Sequence, residues 1–130
     1  MNTFNWIDFT LIAKREVACN YPEDQRLEAI ISAPEPPAEK VDQIGKPLPE
    51  SVLVREQMDV ANYKRIMAVR CKHAKAIHET NYENYSAKVL NFLDDIGSDK
   101  LYVVSIATNS GVYEVLFCPQ RGRVVFFKFT

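Results

Sequence analysis

The residues best suited to chemistry crowd into one stretch, Ser51 to Glu79. It contains the run Cys71-Lys72-His73-Ala74-Lys75-Ala76-Ile77-His78. A thiol and two imidazoles are candidate ligands for a metal, or a nucleophile with its base. On a helix, however, Cys71 and His78 share one edge two turns apart while His73 points elsewhere. Three ligands do not converge, and the neighbouring lysines and arginines repel a cation. No third group orients the thiol. The spacing predicts a buried cysteine and a boundary histidine, with no metal and no cofactor.

A second set is more suggestive. At about 100° per residue, Lys64, Arg65, Lys72 and Lys75 fall within an arc of roughly 100°, and no acid lies between Asp59 and Glu79. Such a stripe suits phosphate oxygens or the acidic face of a partner. Tyr82 or Tyr85, a little further on, would offer a stacking surface. The plainer reading is a solvated helix face. Arg70 forms a third set with Glu56 and Asp59, since all three project into the apolar arc. Charges there need partners, because an unpaired buried charge is very costly. Glu56 and Arg70 would be about 21 Å apart along one helix, too far to pair within it. Their partners would lie in residues 1–50 or on an antiparallel second copy of the helix.

These residues need elements to position them. Val60, Tyr63, Ile66, Met67, Cys71, Ala74 and Ile77 fill an arc of roughly 140° opposite the cations. With no Gly or Pro in the stretch, 51–79 reads as one helix, or two in line, capped by Ser51 just after Pro49. Thr80-Asn81-Tyr82-Glu83 matches a capping box, so a further helix starts at about 81 and stops at Gly97. Its apolar face is Tyr82, Tyr85, Val89, Phe92, Leu93 and Ile96. Upstream, Trp6, Phe9, Ile12 or Ala13, and Val17 give 4–18 a helical period, although Ile7 to Leu11 also alternates as a strand would. Pro22 at a first helical position predicts a second helix over 22–32, with Leu27, Ile30 and Ile31 inward. Residues 33–50 hold five of the seven prolines and read as a surface loop or linker within one domain.

Beyond Gly97 the pattern turns to strands. Leu101–Thr108, Val112–Cys118 and Arg123–Phe129 are rich in β-branched and aromatic residues, separated by short turns. They predict a three-stranded antiparallel meander packed on the long helix pair, an α+β fold. One face would carry Tyr102, Val104, Ile106, Tyr113, Val115, Phe117, Val125, Phe127 and Phe129. The other mixes Leu101, Val103, Leu116, Val124 and Phe126 with Ser105, Glu114 and Lys128. That second face is too apolar for water, so a further layer or another chain must cover it. The expectation drawn is self-association as a dimer.

Composition narrows the function classes. With 130 residues, 47% hydrophobic and 25% charged, the chain is globular and sized for one domain. A net charge of −1 gives no global attraction to nucleic acid or membrane. No apolar run approaches about 18 residues, and Met1 to Thr10 lacks the basic start of a signal peptide. Three widely spaced cysteines do not make a disulfide framework, which points to free thiols and a cytoplasmic protein. No phosphate-cradling glycine loop, nucleophile elbow, zinc-binding or calcium-loop motif occurs. The resulting expectation is a non-enzymatic binding protein of inhibitor or accessory type. It would sequester or block a partner protein or a small phosphate-bearing anion through Lys64, Arg65, Arg70, Lys72, Lys75, Tyr82 and Tyr85. The alternative is a small enzyme acting on a nucleotide or nucleic acid at a site that carries no recognisable motif.

Overall fold

The computed structural model describes residues 4–45, 48–54, 57–76, 81–97 and 99–129; of residues 74–76, 81–84 and 129 it describes the backbone alone. The elements in chain order are α1 (Trp6–Asn20), α2 (Gln25–Ser32), β1 (Ser51–Val54), α3 (Val60–Ala76), α4 (Asn81–Ile96), β2 (Tyr102–Thr108), β3 (Gly111–Cys118) and β4 (Arg123–Phe129). The four strands form one antiparallel sheet in the order β1-β2-β3-β4. Helices α1 and α2 pack on one face and α3 and α4 on the other.

The α+β class therefore holds, with corrections. The ambiguous N-terminal stretch is helical: Asn5 caps α1 by accepting the Asp8 N–H, and the buried positions Trp6, Phe9, Ala13 and Val17 follow the helical period. Helix α2 starts later than Pro22, because Asp24 rather than the proline makes the cap, its carboxylate accepting the Leu27 N–H. Trp6 ties the two helices together by donating its indole N–H to the Ala33 carbonyl at 2.9 Å.

The stretch from Ser51 is not one helix. Its first four residues, Ser-Val-Leu-Val, pair with β2 from Ser51↔Ala107 to Val54↔Val104, and the predicted meander becomes a four-stranded sheet. Ser51 caps nothing; it is buried, and its hydroxyl donates to the Leu48 carbonyl. Helix α3 begins nine positions later, where Asp59 accepts the Asn62 N–H. A bridge between Met58 and Leu101 fixes that start against the sheet. Helix α4 runs as expected from Asn81 to Ile96, and Gly97 ends it with φ 62°, a conformation that favours glycine. The capping residue Thr80 lies outside the described residues.

A further correction concerns the register of β4. Val115 pairs with Phe126 and Leu116 with Val125, so Phe126 faces α1 and α2, while Val125 and Phe127 face α3 and α4. This is one residue out from the expected assignment, and the side chain of Phe129 is outside the description. Both faces are apolar because both are covered. Helices α1 and α2 supply the missing layer, so the bare sheet face that suggested a dimer does not exist. Residues 33–45 and 48–50 form no helix or strand beyond a single bridge residue at Val41, and carry the chain to β1. Among the described residues, no helix is long and apolar enough to cross a membrane.

Candidate functional site

Helix α3 is two-sided, and each side places charge differently. Its inward side meets Glu114, which sits mid-strand on β3 with only 5% of its surface exposed. One carboxylate oxygen accepts from the Tyr63 hydroxyl at 2.9 Å and from the Arg70 guanidinium at 2.5 Å. The Tyr63 and Tyr85 hydroxyls are 2.6 Å apart, and Arg70 also donates to Tyr85 at 3.3 Å. Three elements, α3, α4 and β3, thus meet at one carboxylate.

The electrostatics follow from burial. Burial and then the Glu114 charge push the Tyr63 phenol well above its usual range. The same two causes, in the same order, push Tyr85 up to about 12. Burial works against the Arg70 charge, but hydrogen bonding and attraction to Glu114 more than offset it and hold the guanidinium protonated. Arg70 therefore finds its partner in its own sheet, neither in residues 1–50 nor on a second copy. Asp59, read as its companion, is instead an exposed helix cap, and Glu56 lies outside the described residues. Tyr85 is 4% exposed and offers no stacking surface.

The outward side of α3 carries the cations. Lys64, Arg65 and Lys72 are all exposed, and none has an ion-pair partner among the described residues. Arg26, Arg70, Arg121 and Arg123, by contrast, pair with Glu50, Glu114, Asp99 and Asp95. The side chains of Lys75 and Tyr82 lie outside the description. A large apolar residue stands exposed at the edge of the cations: Val69 is 70% exposed, one turn from Arg65 and from Lys72. The sequence singled out the cations, but Val69 gave no signal as a lone valine on a helix.

An open cleft of about 800 Å³ lies on the opposite layer, lined by Tyr21, Asp24, Arg26, Ser110, Tyr113 and Lys128 among others. Asp24 is its central carboxylate. Burial raises its pKa, but hydrogen bonds from Tyr113, the Leu27 N–H and Ser110, with the Lys128 charge, win and hold it below the usual range. Tyr113 is pushed up in turn, by burial and by Asp24. The carboxylate is engaged in joining α2 to the β2–β3 turn, which leaves it poorly placed as a general base.

Cys71 is half-buried with its thiol 2.9 Å from the Ser86 hydroxyl, and His73 is exposed on the far side of α3. His78 lies outside the described residues. Burial pushes the Cys118 thiol up, which lowers its reactivity. Among the described residues, no three metal-ligating side chains come together. No family model matches the chain, and no similar curated protein or solved structure was found.

Proposed function

We propose that the protein is a non-enzymatic binding protein whose outward α3 face docks on an acidic surface of a partner protein. The observation that carries this is the exposed set Lys64, Arg65 and Lys72, none with an ion-pair partner among the described residues, flanked by the exposed Val69. Phosphate alone would need only the cations. A 70% exposed valine beside them favours a protein surface that offers an apolar contact next to its acids. Each exposed ion pair contributes only about 0.2–1 kcal/mol, so the cations steer and orient, and the valine adds buried area. Blocking or sequestering a partner needs no reactive group, which fits a molecule whose buried Glu114, Tyr63 and Tyr85 are already engaged with one another. The enzyme alternative would place its site in the Asp24 cleft, where the carboxylate is committed to the fold.

The test is capture from extract of the source cells by the immobilised protein, with Lys64→Glu/Lys72→Glu and Val69→Ser variants beside it. The expected result is a partner with an acidic surface that is recovered at low salt. It should be lost in the charge-reversed variant, weakened in the valine variant and released by added salt. All three proteins should have the same circular dichroism. Equal recovery by the wild type and the folded charge-reversed variant would overturn the proposal.

A further inference from the structure

Strand β4 is the long edge of the sheet. Pairing with β3 uses the backbone groups of every second residue, and the intervening residues, Val124, Phe126 and Lys128, direct theirs away from the sheet. An exposed edge of β-branched and aromatic residues invites another strand. The opposite edge, β1, is only four residues long and is blunted by its shortness. At β4 the device is different. The Phe126 carbonyl, at the centre of the outward row, accepts from the Tyr21 hydroxyl at 3.3 Å and from the Lys88 ammonium at 3.2 Å. These donors come from opposite layers, Tyr21 from the end of α1 and Lys88 from α4. Each is also held by a ring: Tyr21 lies edge-on to Tyr113 at 5.2 Å, and the Lys88 ammonium stands 5.3 Å from the Phe127 ring centre.

We infer that the outer edge of β4 is a latent strand-pairing surface, held shut by Tyr21 and Lys88 closing over the Phe126 carbonyl from both sides of the sheet. Its partner when open is a second copy of β4. An antiparallel copy centred on Phe126 sets Val124 opposite Lys128 and brings no like charges face to face, so the strand is self-complementary. Such a pair consumes both long edges and stops at a dimer.

The experiment compares the wild type with Tyr21→Phe/Lys88→Met, which removes both donors and keeps most of the bulk. Amide hydrogen exchange at Val124, Phe126 and Lys128 is followed against protein concentration, with sedimentation in parallel. In the wild type these three amides should exchange at a rate independent of concentration. In the double variant their exchange should slow about tenfold or more as concentration rises, together with a dimer in sedimentation. A folded double variant without concentration-dependent protection overturns the inference, and so does such protection in the wild type. Growth into larger aggregates overturns the choice of partner. Should the double variant not fold, the single variants are measured in the same way, and absence of protection in both overturns the inference.

Discussion

On the α1–α2 face, aromatic rings meet directly across the layer. Phe9 packs edge-on to Phe117 at 5.3 Å, and Phe4 to Tyr102 at 5.4 Å, while the Asp24 carboxylate is kept at the rim. On the α3–α4 face a carboxylate stands inside the layer, and the helices are aligned to it by Arg70, Tyr63 and Tyr85. Both layers are pairs of helices on the same sheet. The first relies on shape, where a lost ring leaves a void. The second adds a directional polar joint, where a lost partner leaves a charge. A joint of this kind fixes the rotation of α3 about its own axis, and hence which residues it presents outward.

The largest effect should come from breaking shape. Phe117→Ala should cost about 3–5 kcal/mol, read from the denaturant midpoint, because Phe117 is almost fully buried against Phe4 and Phe9. A loss under about 1 kcal/mol would mean that the layer collapses onto the void and that the contrast is wrong.

Breaking the joint should come next. Glu114→Ala should cost about 2–3 kcal/mol, less than a fully buried pair would, since Arg70 keeps 26% of its side chain exposed. The comparison sharpens on removing the whole joint. Tyr63→Phe, Arg70→Met, Tyr85→Phe and Glu114→Leu together should return stability to within about 1 kcal/mol of the wild type. If this combined variant is as unstable as Glu114→Ala alone, the joint contributes more than alignment.

The smallest effect concerns the rim. Asp24→Ala should cost about 1 kcal/mol at neutral pH, the usual value of a lost helix cap. The folded pKa of Asp24 is lowered, so the contribution of its charge is present above the unfolded value of about 4 and is lost as pH falls through the folded one. The gap between wild type and variant should narrow in acid. A gap that stays constant down to acid unfolding would assign the cost to lost contacts alone.

Much of this architecture was legible in local pattern. The boundaries of α4, its stop at Gly97 and the three C-terminal strands follow from caps, turn residues and β-branched runs. Strand β1 was not legible, because Ser-Val-Leu-Val after a proline suits a helix start as well as a strand. Only pairing with Ser105, Ile106 and Ala107, some fifty positions away, decides between them. The face assignment of β4 failed for a related reason. Alternation identifies a buried face only when the other face is wet, and here both Phe126 and Phe127 are covered. At the candidate site, Arg70 in an apolar arc and Glu114 in an apolar strand each stood out alone. The signal that would have joined them is that each needs the other.

The order of the elements along the chain has a consequence for synthesis. Residues 81–129 make mostly local contacts, α4 followed directly by the meander. Helices α1 and α2 instead rest on a sheet whose strands come far later: Tyr21 and Phe126 are 105 positions apart. At about 5–20 residues per second, that separation corresponds to roughly 5–20 s of translation. For that time Trp6, Phe9, Leu27 and Ile31 lack the β2–β4 residues they pack against in the finished fold. The slow steps of folding should therefore be the closing of β1 onto β2 and the docking of the first two helices. During that interval the N-terminal segment is the part of the nascent chain most exposed to chaperones and to misassociation.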